Sequence, residues 1–83
     1  MVMPTGVPNR TVVDSRGSAC PGPITDLSMA YRRSKAGDVI EVWATDPGFR
    51  EDVKAWATKT GNQLVSVEEG PEKIVAVLRI LRR

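Results

Sequence analysis

The chain has 83 residues, which is room for one domain and a modest core. Its net charge of +2 comes from 12 basic and 10 acidic residues mixed along the chain, a balance that gives no nucleic-acid signature by itself. Histidine is absent and there is a single cysteine, Cys20, so neither an internal disulfide nor a zinc site of the usual kind can be built. Catalysis, if any, must run through the thiol or through carboxylates. A lone thiol suits a reducing compartment. No apolar run is long enough to span a membrane, and the start MVMPTGVPNR lacks the apolar segment of a signal peptide. These features lead to the expectation of a soluble, cytoplasmic protein.

Residues 1–9 hold two prolines, a glycine and no periodicity, and read as a flexible lead-in to a single domain over residues 10–83. Thr11-Val12-Val13 is a β-branched stretch expected to form a first strand running into Asp14-Ser15-Arg16-Gly17. From Ile24 to Lys35 the residues Ile24, Leu27, Ala30 and Tyr31 fall at helical spacing, and Gly37 follows as a stop. Val39 to Thr45 alternates as a strand, with Ile40, Val42 and Ala44 on one side and Val39, Glu41 and Trp43 on the other. Asp46-Pro47-Gly48 interrupts it. Phe49, Val53, Trp56, Ala57 and Thr60 mark one face of a second helix ended by Gly61, with Asp46 the candidate N-cap and Pro47 in the first helical position. Leu64 to Glu68 is a third strand, residues 69–72 a turn, and Ile74 to Leu81 a fourth strand that groups Ile74, Ala76, Leu78 and Ile80. The expected order is β-α-β-α-β-β. Two helices can cover only one face of four strands, so the fold class is an α/β (α+β) two-layer sandwich with a four-stranded mixed sheet. The other face must meet solvent or a partner, and Trp43 belongs to it.

The stretch Cys20-Pro21-Gly22-Pro23 carries the chemistry. Pro21 suits the first helical position and Pro23 the first turn, because neither position needs its N–H for the helix. A helix starting there sets Cys20 at or near the N-cap, by the positive end of the dipole and the free N–H groups of the first turn. A thiolate is stabilised in such a place. An ionised thiol can attack a persulfide, hold its outer sulfur and yield it to another thiolate without a separate base. Arg16, four residues upstream, is a further source of positive charge. The bland alternative is that Cys20 is a small core residue. Asp46 has two readings, a helix cap or a second element of the sulfur pocket. Arg32, Arg33 and Lys35, and Arg79, Arg82 and Arg83, are either solvated ends or docking patches for an acidic partner.

The residues that follow one another as Val13-Asp14-Ser15-Arg16-Gly17, Cys20-Pro21-Gly22-Pro23, Gly37 to Val42, Asp46-Pro47, Asp52-Val53 with Trp56, and Gly61 to Leu64 resemble the TusA/SirA family of small sulfur-carrier proteins, whose hallmark is C-P-x-P. The resemblance runs over residues 11–81. It implies the sandwich above, with Cys20 carrying sulfur as a covalent persulfide and no separate cofactor. Arg16, Gly17, Pro21 and Pro23 support the thiol loop, and Asp46 matches the family's D-P element. The implied partners are a sulfur donor such as a cysteine desulfurase, a rhodanese or a DsrE-type protein, and a downstream acceptor protein. Such relays serve tRNA thiolation, cofactor synthesis or sulfur oxidation. Ser18 departs from the apolar residue common there, so loop packing before the thiol is expected to differ. The competing functions are a non-catalytic protein- or RNA-interaction module and a thiol redox protein, the latter without a resolving cysteine.

Overall fold

The computed structural model describes residues 10–19 and 21–81. Six elements follow in the expected order: β1 (Arg10–Ser15), α1 (Gly22–Arg32), β2 (Val39–Ala44), α2 (Phe49–Thr60), β3 (Gln63–Glu69) and β4 (Ile74–Arg79). The strands form one mixed sheet in the order β1-β2-β4-β3. β1 and β2 are parallel, joined by α1 as a crossover, while β4 runs antiparallel to both β2 and β3. Both helices pack on the same side.

Strict alternation in β2 and β4 decides which face is buried. Ile40, Val42, Ala44, Ala76 and Leu78 are wholly inaccessible, and they meet Leu27 of α1 and Phe49, Val53, Trp56 and Ala57 of α2. The helices also touch each other: the Tyr31 and Trp56 rings pack edge to face at 5.3 Å. The Trp56 indole N–H donates to Ser28 Oγ at 3.1 Å, so the buried ring keeps its one polar atom satisfied.

Several boundaries differ from the sequence expectation. β1 extends through Asp14 and Ser15, because those residues continue an unbroken pairing with Trp43 and Ala44. α1 stops at Arg32 with Arg33 as its C-cap, so Arg32 alone of the basic cluster lies in the last turn. Lys35 belongs to the next turn, where its N–H donates to Asp38 Oδ2 at 2.9 Å. Asp46 is not the N-cap of α2. Its carbonyl accepts the N–H of Phe49 at 3.0 Å, so residues 46–49 close a turn with Pro47 and Gly48 at its centre. That turn moves the N-cap to Gly48 and leaves Pro47 outside the helix. Regular pairing of β4 ends at Arg79, but Ile80 still joins Ile74, Ala76 and Leu78 in the core and its N–H donates to the Asp38 carbonyl at 2.8 Å. The lead-in, Arg82 and Arg83 lie outside the described residues.

Candidate functional site

The parallel strands β1 and β2 end together, and the segment that carries the cysteine leaves from that end. Cys20 itself lies outside the described residues; Ala19 and Pro21 on either side of it are described. The Gly22 N–H donates to the Ala19 carbonyl at 2.7 Å, so the chain on the two sides of position 20 is tied directly together.

Pro21 is the N-cap of α1, not its first residue, which sets position 20 one residue before the cap. The reason lies in the donors of the first turn. Pro21 and Pro23 have no N–H, and Gly22 has already given its own to Ala19. Thr25 closes the first helical bond onto the Pro21 carbonyl at 2.9 Å, which leaves Ile24 as the remaining first-turn residue with an N–H to offer. The helix start therefore offers fewer free N–H groups than expected, while the helix dipole still points its positive end this way. No acidic residue sits in the first turn to cancel that field.

Three anchors fix the segment before the cysteine. Ser15, 2% exposed, donates its hydroxyl to Asp26 Oδ2 of α1 at 2.7 Å, binding the end of β1 to the helix. The Gly17 N–H donates to Thr45 Oγ1 at 2.9 Å, binding the turn to the residue that precedes Asp46. Gly17 itself sits at φ +85°, the left-handed region that a side chain disfavours. Ser18 then passes so close to α1 that a Cβ on Gly22 would stand 2.9 Å from Ser18 Cβ. Glycine between the two prolines is thus the only residue that lets the loop lie against the helix start. Ser18 fills that contact in place of the expected apolar residue.

Arg16 turns to the open face of the sheet. Its guanidinium holds the Asp14 carboxylate through two bonds of 2.8 Å, and its centre lies 5.2 Å from the Trp43 ring. Lys73 lies over the same ring at 3.7 Å, and the Trp43 indole N–H donates to Glu41 Oε2 at 2.6 Å. Trp43 is therefore half-buried under cations. The Arg16 pair holds the Asp14 carboxyl down at about 2 and raises Arg16. Glu41 is lowered as well, first by the Trp43 indole and then by Arg10.

Beside the N-cap of α1 a shallow groove runs between Pro21 and Ile24 on one side and Asp52, Ala55, Trp56 and Lys59 of α2 on the other. Sequence reading treated α2 as core alone and missed Asp52 and Lys59 as neighbours of the thiol segment. The signal was present in their spacing, since residues 52, 56 and 59 share one flank of a helix. Of the residues named beforehand, Gly17, Pro21 and Pro23 belong to the chain on either side of position 20, while Arg16 turns its side chain to Asp14 and Trp43. Asp46 lies one residue beyond the Thr45 anchor.

A parallel strand pair leading into the segment that holds the one cysteine, with a helix start behind it and a helix layer on one face of a four-stranded mixed sheet, defines a small α+β sandwich. The family model described as sulfurtransferase TusA matches residues 11–80, and the chain belongs to that family. It is 42% identical over 59 residues to the sulfur carrier protein TusA of Allochromatium vinosum, covering 70% of this chain and 78% of that protein. It is 38% identical over 58 residues to a candidate sulfur carrier protein of Archaeoglobus fulgidus, covering 70% of this chain and 80% of that protein. A relative in Aquifex aeolicus, 37% identical over 67 residues, is much longer: the match takes 81% of this chain but spans only 34% of it. The fold matches the crystal structure of a SirA-like protein from Desulfitobacterium hafniense with a TM-score of 0.74 at 22% identity, covering 87% of this chain and 99% of that one.

Proposed function

We propose that this protein is a sulfur carrier that holds sulfane sulfur as a persulfide on Cys20 and relays it between partner proteins. The observation that carries the reading is the family match across residues 11–80, with Cys20 adjoining the N-cap of α1. The helix dipole favours an anion there, be it thiolate or persulfide. In the first step the Cys20 thiolate attacks the outer sulfur of a donor persulfide; the S–S bond of the donor breaks and the donor leaves as a thiolate. In the second step an acceptor thiolate attacks the terminal sulfur on Cys20 and releases the Cys20 thiolate. Electrons balance without an external oxidant, because one sulfane sulfur passes between thiols. No general base is needed once the thiol is ionised, which fits a chain without histidine.

The donor is a persulfide-bearing enzyme of the desulfurase or rhodanese type, or a DsrE-type protein, and the acceptor is a second protein thiol. The groove beside Pro21, with Asp52 and Lys59, is the surface a partner would meet on reaching position 20. A cytoplasmic location supplies the reducing conditions that keep Cys20 available. Among the described residues no helix is long and apolar enough to cross a membrane.

Incubation with a cysteine desulfurase and cysteine should add the mass of one or more sulfur atoms to the intact chain, removable by reductant and absent in Cys20→Ser. Equal mass spectra and equal onward transfer for the two proteins would sink the carrier reading. Partner capture that survives Cys20→Ser with no sulfur loading at all would favour an interaction module instead.

A further inference from the structure

The two edges of the sheet are built differently. β3, at one edge, is broken by a register shift between Leu64 and Ser66 and closes on Glu68 and Glu69. A bulge and a run of like charge are the usual means of blunting an edge. β1, at the other edge, has none of them: its six residues pair with β2 in unbroken register and carry no proline, lysine or bulge. Its outer backbone groups are a template for another strand. At its centre Val12 is 49% exposed.

The charges on β1 are opposite in sign on the two sides of that valine. Arg10, Val12 and Asp14 share the open face of the sheet, at alternate positions of the strand. An antiparallel copy of β1, related by a two-fold axis through Val12, sets Val12 against Val12 and each Arg10 against Asp14 of the other copy. Each of these residues already has a partner inside its own chain, Glu41 for Arg10 and Arg16 for Asp14. The contact therefore produces a row of alternating sign, Glu41, Arg10, Asp14, Arg16, repeated on both sides of the axis. Opposite charges facing each other across strands are the favourable arrangement, and like charges the unfavourable one.

The helix layer permits the same pairing. A two-fold perpendicular to the sheet keeps both α1 helices on one side. α1 packs against β1 and β2 alike, so its axis lies about half a strand spacing inside β1. With strands about 4.8 Å apart, the two α1 axes come to about 10 Å, the upper end of normal helix packing. The flank of α1 along this edge carries Met29, 51% exposed, and Ala30, which line a groove beside β1. Pairing closes one groove, which Asp26, Arg33, Ser34 and Asp38 also line, on the other and takes the exposed Met29 out of water.

We propose that two copies of this chain associate through β1 into a continuous eight-stranded sheet. The segments bearing Cys20 follow the C-terminal ends of the two antiparallel β1 strands, one at each end of the interface. The dimer presents two independent thiol sites.

Sedimentation velocity on the full chain across a concentration series should show the 9.1 kDa monomer giving way to twice that mass. Arg10→Asp and Asp14→Arg, tested separately, each place like charges at both contacts and should weaken association at least tenfold. An equimolar mixture of the two variants should restore it, because every arginine then faces an aspartate in the mixed dimer. Circular dichroism confirms that each variant is folded before mixing. A wild type that stays monomeric at millimolar concentration overturns the proposal. So do single variants that dimerise as the wild type does, or a mixture no tighter than its components.

Discussion

The two faces of the sheet are made from the same strands and do opposite work. On the covered face Ile40, Val42, Ala44, Ala76 and Leu78 are sealed under Leu27, Phe49, Val53 and Trp56. On the open face Glu41, Trp43, Val75 and Val77, the residues in between, are only half-buried, and charge organises them: Arg16 and Lys73 lie against Trp43, and Glu41 holds its indole. One face stores the stability of the fold and the other a patterned electrostatic surface. The segment leading to Cys20 is the seam between them. Ser15 ties it to the helix side through Asp26, and Arg16 ties it to the open side through Asp14 and Trp43.

The sharpest way to break the comparison is to remove a large side chain from the covered face. Phe49 is inaccessible at the start of α2, so Phe49→Ala should cost about 3–5 kcal/mol, through lost transfer energy and a residual cavity. Urea denaturation would measure this, and for a domain of this size such a loss leaves much of the protein unfolded at room temperature. A loss near 1 kcal/mol would mean that the core does not hold the fold as described.

The next effect lies on the seam. Ser15→Ala leaves the Asp26 carboxylate without the hydroxyl that satisfies it, at a cost of about 1–3 kcal/mol. Gly22→Ala forces Ser18 away from the helix start. It should alter the alkylation rate of Cys20 more than it alters stability, and Ser18→Gly in the same chain should return the rate towards wild type. An alkylation rate unmoved by Gly22→Ala would separate the loop packing from thiol presentation.

Much of this architecture is legible in the sequence because alternation and helical spacing depend on local geometry alone. Ile40, Val42 and Ala44, and Ile74, Ala76 and Leu78, announce one buried face, and Trp56 announces the face of α2. What escaped is set by backbone bonds between residues that no pattern links. The turn closed by Phe49 N–H on the Asp46 carbonyl took the cap from Asp46 and gave it to Gly48. The bond from Gly22 to Ala19 placed the cap of α1 on Pro21. Arg16 is legible as a positive charge four residues upstream of Cys20 but not as the partner of Asp14 and Trp43. Its direction depends on β1 running on through Asp14 and Ser15, which brings Asp14 level with Trp43.

A smaller change tests the open face. Trp43→Ala removes two cation contacts and one indole hydrogen bond at a half-exposed site. Exposed cation–π contacts contribute about 0.5–1 kcal/mol each, so the loss should be about 1–2 kcal/mol, well below that of Phe49→Ala. Equal losses at Trp43 and Phe49 would erase the distinction between the faces.

The smallest effect is also the most local. Arg16 holds the Asp14 carboxyl at about 2, chiefly through the paired side-chain hydrogen bonds, with a further backbone N–H from the same residue. A carboxyl depressed in the folded state adds stability that is present above the ordinary carboxylate range and is lost as pH falls through about 2. Both groups are exposed to solvent, so the contribution is slight and salt will screen it. The titration itself is the sensitive readout. Carboxyl-carbon NMR should place the Asp14 midpoint near 2 in the wild type, and Arg16→Gln should return it to the ordinary range. Trp43→Ala should leave Asp14 depressed, because the ring contacts Arg16 without supplying any of the bonds that hold the carboxylate. If Trp43→Ala moved the midpoint as far as Arg16→Gln, the ring would be what fixes the guanidinium in place, and the open face would be a single coupled unit of Trp43, Arg16 and Asp14.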